Sequence, residues 1–164
     1  MAIPWIERRY RELPALDASG ADVPGTVRRD RYAGGRFSVH VAPGPRWDLD
    51  VGLDGGARDD PYAGYYDSTA RGAFALLGLK AGTRNRFQLY ASRSKLDYLH
   101  AKVTDDPLSA NRASDTSRWL GRFDRKLSRH FSLLAELGMQ QNDNRDPQFS
   151  YERQWAMTGF KFRR

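Results

Sequence analysis

The side chains with catalytic potential in this sequence occur in short alternating stretches. Ser38 and His40 are two residues apart, and Asp48, Asp50 and Asp54 follow a Pro-Gly-Pro turn. A Ser and a His can together form an activated nucleophile, and paired carboxylates can exchange protons or bind a cation. On a strand, however, Ser38 and His40 would lie about 7 Å apart, too far for a direct hydrogen bond. We therefore predict that the chain is not an enzyme, with a barrel-type lipid hydrolase as a remote alternative.

The composition excludes several other kinds of chemistry. The 164 residues include no Cys and three His, so thiolate sites are impossible and a zinc site is not expected. The net charge is +7, but the basic residues alternate with acidic ones and do not form a stripe. A stripe is the usual mark of a nucleic-acid-binding surface. We predict no cofactor, no metal and no nucleic-acid partner.

Hydrophobic residues recur at every second position through most of the chain. Trp47, Leu49, Val51 and Leu53 alternate with acidic residues and a glycine, which is the pattern of a strand with one apolar and one polar face. Similar runs predict strands at 36–42, 68–80, 86–98, 116–125, 131–140 and 151–162.

The connections between these strands alternate in length. Short turns are predicted at 43–46, 81–85 and 126–130, and long polar loops at 55–67, 99–115 and 141–149. Long loops at one end and short turns at the other are typical of membrane barrels. The mean hydropathy of −0.73 is compatible with this fold, because only alternate residues face lipid. We predict an all-β, antiparallel up-and-down transmembrane β-barrel with about seven or eight strands.

The first part of the chain is harder to assign. Residues 1–35 are predicted to form an N-terminal strand or short helix followed by a loop, and residues 36–164 the barrel hairpins. The stretch from Pro4 to Leu13 fits an amphipathic helix, but a strand is favoured because a bacterial barrel usually needs an even number. The first residues lack the apolar core of a signal peptide. If the protein crosses an inner membrane, this chain is a mature form or a segment of something longer.

The period-two alternation also predicts on which face of the sheet each charged or aromatic residue lies. One set of charged residues would point into the barrel, and they are Arg36, His40, Asp48, Asp50, Asp54, Arg118, Arg122, Asp124 and Glu136. Trp47, Trp119 and Trp155 lie near strand ends, where aromatic girdles form at membrane interfaces. Trp155 and Met157 are out of phase with Phe160 and Phe162, so either a bulge intervenes or one set points inward.

From about Arg36 onward, the chain resembles Gram-negative outer-membrane β-barrel proteins. The resemblance rests on the alternation of short turns and long loops between strands and on the closing Gly159-Phe-Lys-Phe162, which is similar to the signal read by barrel-assembly machinery. Residues 142–153 resemble the terminal hairpin of large exporter-type barrels, some of which follow a periplasmic domain. The resemblance implies a place in the cell outer membrane, contact with its lipid and lipopolysaccharide, and Phe160 and Phe162 as assembly-signal residues.

Two forms of such a barrel fit the sequence. An eight-stranded barrel has an interior filled by side chains, so its charged residues would be structural. One wall of a wider barrel would instead line an aqueous lumen, giving a porin-like role in transport or export. A soluble β-barrel that binds a small apolar ligand is the main alternative.

Overall fold

An antiparallel sheet dominates the computed structural model, which describes residues 5–17, 19–104, 106 and 108–162. Its eight strands follow one another in the order β1-β4-β5-β6-β7-β8-β9-β10, and β2 and β3 form a separate small hairpin. The strands are β1 (Trp5–Arg9), β2 (Ala15–Leu16), β3 (Asp22–Val23), β4 (Arg29–Gly44), β5 (Trp47–Asp59), β6 (Ser68–Ala81), β7 (Asn85–Lys102), β8 (Asn111–Lys126), β9 (Phe131–Asn144) and β10 (Tyr151–Phe162). The described residues include no α-helix, and a single 3₁₀ turn covers Pro147–Phe149.

The all-β class, the antiparallel pairing and the up-and-down order are confirmed. The predicted short turns join β4 to β5, β6 to β7 and β8 to β9, and define the turn end of the sheet. The long connections meet at the opposite end, the loop end. Among the described residues, no helix has the length and apolar character needed to cross a membrane.

Most strands run further toward the loop end than predicted. β5 continues to Asp59, β7 to Lys102, and β8 begins at Asn111, inside stretches predicted as loops. Most residues of these extensions are small or polar, so the hydrophobic period that identifies a strand is weak there, although the sheet continues. The strand predicted from residue 36 likewise begins earlier, because β4 starts at Arg29.

The sheet does not close into a barrel, so this part of the predicted fold is wrong for the described residues. β1 does form a strand, but its five residues pair only with residues 29–33, so the edge of β4 that faces away from β5 is unpaired beyond residue 33. No ladder joins β1 to β10, so β10 is the other edge strand. Pro4, where the predicted first element begins, lies outside the described residues.

A buried ion cluster fastens the loop end of the sheet. The fully buried Asp30 carboxylate accepts hydrogen bonds from Arg58 Nη2 at 2.7 Å, Tyr32 Oη at 3.2 Å and Arg28 Nη2 at 3.4 Å. The Arg28 guanidinium also stacks 3.7 Å from the ring centre of Tyr66 in the β5–β6 loop. This Asp30 cluster therefore ties the N-terminal segment to β4, β5 and the following loop.

The charge on Asp30 governs the electrostatics of this cluster. Burial alone would lower the pKa of the Arg28 guanidinium, but the hydrogen bond and negative charge of Asp30 outweigh burial and raise this pKa above its ordinary value. The Arg28 guanidinium therefore stays charged, and both Arg28 and Arg58 donate hydrogen bonds to the carboxylate. The residues of the cluster lie in two separate stretches predicted as loops, so the sequence did not predict that they meet.

We expect the Asp30→Asn substitution to reduce the free energy of unfolding by about 3–5 kcal/mol, because it leaves two buried guanidinium groups without a counter-charge. The matched control is Asp59→Asn, whose ion pair with Arg31 spans 3.9 Å with both side chains about half exposed. That change should cost less than about 1 kcal/mol. Urea titration measures both, and equal losses would contradict a stabilising role for the cluster.

Candidate functional site

The predicted lumen-facing residues all lie on one face of the sheet. Directly paired residues of an antiparallel sheet share a face, so the register assigns the faces strand by strand. Arg36 pairs with Asp54, His40 with Asp50, and Arg122 with Glu136. The same registers extend this surface, here called the charged face, to Asp48, Arg118 and Asp124. The backbone pairing shows that these residues share one face, and that this face lines a lumen stays a prediction.

Toward the turn end, the charged face carries acid–base pairs. His40 Nδ1 lies 2.8 Å from Asp50 Oδ1, and Arg86 Nη2 donates to Asp48 Oδ2 at 3.0 Å. Arg122 Nε donates to Asp124 Oδ2 at 2.9 Å. The Arg86–Asp48 contact spans β6, and the Arg122–Asp124 contact lies along β8, so arginines and carboxylates neutralise each other in this part of the face.

Glycines on the charged face make room for large neighbours. A Cβ atom at Gly52 would collide with the Phe74 ring, and one at Gly138 would collide with the Trp155 ring. Each glycine is the direct cross-strand partner of the aromatic residue that covers it. The aromatic rings can therefore lie flat against the sheet beside the charged groups.

Trp155 lies on the charged face, whereas Trp47 and Trp119 lie on the opposite one. The β9–β10 register is continuous from Tyr151 to Phe162, so no bulge brings Trp155 into phase with Phe160 and Phe162. Its Nε1 donates to Glu136 Oε1 at 3.1 Å. The three tryptophans predicted to form a girdle therefore do not share a face, because Trp155 lies on the charged face.

The other face of the sheet is apolar over its middle and turn end. It presents Phe37, Leu53, Leu89, Leu137 and Phe160, and Phe160 is 75% exposed. Phe162 packs against Phe131 with ring centres 5.1 Å apart, next to the turn end. Both residues of the predicted assembly signal therefore lie on this apolar face.

The two faces differ in how strongly their neighbours cover them. On the apolar face, Leu137 and Phe37 are 66% and 64% exposed. On the charged face, the Asp48 and Asp124 side chains are 20% and 27% exposed, and Phe74 is buried. The charged face is thus the more enclosed of the two, which is opposite to a globular protein with an apolar interior.

The structure does not bring Ser38 and His40 together as an activated nucleophile. No hydrogen bond joins Ser38 to His40 in the described part of the chain, and the His40 ring nitrogen is directed at Asp50. Ser128 and His130 meet through a backbone contact, with His130 N donating to Ser128 Oγ at 3.3 Å within the β8–β9 turn. Over the described ranges, no three His, Asp or Glu side chains converge as a metal site would require.

Comparison with known proteins adds no relative to this picture. No family model, no curated protein and no solved structure matches the chain. Function must therefore be inferred from the arrangement of the two faces.

Filling the space beside Trp155 tests the packing of the charged face. We expect Gly138→Ala to lower the free energy of unfolding by about 1–3 kcal/mol, because the indole must leave its position. The matched control is Gly159→Ala in the adjacent strand, where an added Cβ would meet nothing within 4 Å.

Trp155 fluorescence and urea titration report both effects. The Gly138 variant should shift the emission maximum and the unfolding midpoint, and the Gly159 variant should change neither. If the two variants behave alike, the indole does not rest on Gly138.

Proposed function

We propose that this chain forms the wall of a β-barrel in the outer membrane of a Gram-negative cell, with a structural or transport role and no catalytic one. In this arrangement the apolar face contacts lipid and lipopolysaccharide, and the charged face lines the interior. The observation that carries the proposal is the contrast between an exposed apolar face and a more enclosed charged face.

The contrast favours a membrane barrel over a soluble one. A soluble barrel that binds an apolar ligand would enclose its apolar face and turn its charges to water. Here the large apolar side chains are the more exposed, and an apolar surface this extensive is unusual on a soluble monomer. Lipid would cover that surface, and the internal ion pairs would neutralise most of the charge on the opposite face.

The unpaired edge strands of the sheet require further hydrogen-bonding partners in a membrane. In lipid, every backbone N–H and C=O requires a partner, so β10 and the free part of β4 must pair with something. The outer edges of β1 and β10 run antiparallel and could join directly near the loop end, where β1 pairs with β4. Further strands, from a longer chain with a possible periplasmic domain, could pair with the rest of the edge. Barrel-assembly machinery would recognise Phe160 and Phe162 at the end of β10.

Membrane extraction and gel mobility test the proposal. The protein expressed in a Gram-negative host behind a cleavable secretory signal peptide should sediment with outer membranes, resist salt and alkaline extraction, and require detergent to dissolve. Heating should change its migration in dodecyl sulfate gels, as expected for a sheet that unfolds only when heated. A monomeric protein that stays in solution without detergent would overturn the proposal and favour the soluble alternative.

A pair of neighbouring substitutions tests which face meets lipid. Leu89→Arg places a charge on the apolar face and should destabilise the inserted protein by about 2–4 kcal/mol if this position is near the bilayer midplane. Gln88→Arg, one residue earlier on the charged face, should change stability by less than about 1 kcal/mol.

Urea unfolding from lipid vesicles measures the difference between these two variants. A larger loss for Gln88→Arg than for Leu89→Arg would reverse the assignment of the faces.

A further inference from the structure

The arginines of the charged face fall into two groups. Arg86 and Arg122 are held by carboxylates, as described above. Arg36, Arg118 and Arg153 have neither a hydrogen bond nor an ion pair with any other described residue, although all three contact aromatic rings. Their charges are therefore uncompensated at close range.

The second group of arginines lies in or beside one cross-strand row of the charged face. Cross-strand pairing aligns seven residues in a row that crosses β4 to β10, and no member of the row is acidic: Ser38, Gly52, Phe74, Ser92, Arg118, Gln140 and Arg153. Arg36 belongs to the adjacent row, but its guanidinium lies 3.5 Å from the ring centre of Phe74. We call Arg36, Arg118 and Arg153 the arginine row.

Aromatic rings fix where these guanidinium groups lie. Arg118 and Arg153 both contact the same indole, with their Cζ atoms 5.4 and 5.3 Å from the Trp155 ring centre. Stacking occupies the flat side of a guanidinium and leaves its N–H edge free to donate. The N–H edges remain available because the neighbours in the row are small or neutral.

Nearby carboxylates do not neutralise the arginine row. Asp54 is the cross-strand partner of Arg36, yet no contact within 4.0 Å joins them as an ion pair in the described structure. Glu136 accepts from Trp155 Nε1 and is paired in register with Arg122. Free guanidinium edges are suited to bidentate binding of phosphate, sulfate or carboxylate groups.

We propose that the arginine row binds a soluble polyanion that carries several phosphate or similar groups. Phe74, Arg118 and Arg153 lie on alternate strands, so their positions repeat about every 10 Å across the sheet. A linear polyanion can contact the arginines together, whereas a single anion can contact one or two. This binding deepens the proposed function, on which it rests, by giving the interior a class of substrate.

Trp155 gives the experiment a built-in reporter. With Trp5, Trp47 and Trp119 replaced by Phe, the remaining emission comes from the Trp155 indole, which both Arg118 and Arg153 contact. Short-chain inorganic polyphosphate, titrated at constant ionic strength into the protein in a neutral detergent, should change this emission saturably. Orthophosphate should bind more weakly, and a neutral oligosaccharide should have no effect.

Substitutions then identify the binding groups. Arg118→Gln and Arg153→Gln should each weaken polyphosphate binding about tenfold, as expected for the loss of a charge-assisted hydrogen bond. Arg36→Gln should weaken binding of polyphosphate and leave that of orthophosphate unchanged. Arg86→Gln removes the same charge from the same face outside the arginine row and is the matched control. If the Arg118 and Arg153 variants lose no more affinity than Arg86→Gln, the proposal is overturned.

Two further measurements separate the possible reasons for failure. Gel mobility with and without heating shows whether each variant keeps its fold, and binding in detergent does not depend on insertion into a membrane. A soluble protein that still binds polyphosphate would refute the membrane wall and keep the anion site.

Detergent micelles containing phosphatidylglycerol replace polyphosphate in a parallel titration. Binding to those micelles without binding to free polyphosphate would overturn the assignment to a soluble polyanion.

Discussion

The backbone hydrogen-bond register across the sheet is the constraint from which the other features follow. Side chains alternate between the two faces of a strand, and antiparallel partners share a face, so one unbroken register assigns both faces of the whole wall. The irregularities within the long ladders lie near their ends, between Val41 and Gly44 and between Asp97 and Lys102. The central rows therefore keep apolar and charged side chains apart across β4 to β10, and a register slip of one residue in any strand would mix them.

This separation explains how a chain with so many charges can present an apolar surface. Along the turn end, the charged face satisfies its own groups through pairs such as His40 with Asp50 and Arg122 with Asp124. Glycines beneath Phe74 and Trp155 let aromatic rings cover the sheet and support the uncompensated arginines. The ion-paired residues and the arginine row proposed to bind anions thus occupy different parts of the charged face.

Local alternation predicted the elements in which one face is apolar and the other polar. Runs such as Trp47 to Leu53 identify both the strand and its faces, so the shared face of the charged residues from Arg36 to Glu136 could be predicted from the sequence. The polar strand extensions near the loop end were missed, because backbone pairing there leaves no hydrophobic period. Trp155 was placed in the wrong group because its face depends on an unbroken ladder with β9, which a single strand cannot reveal. The Asp30 cluster depends on contacts with Arg58 and Tyr66, far along the chain, and nothing local signals it.

A cysteine scan along β7 tests most directly whether the apolar face meets lipid and the charged face an aqueous interior. The chain contains no Cys, so single substitutions at each position from Phe87 to Ser92 give one thiol per protein. In reconstituted vesicles, a water-soluble maleimide should label positions 88, 90 and 92, and a lipid-phase quencher should reach probes at 87, 89 and 91. Equal labelling at all six positions, or the reverse alternation, would contradict the account.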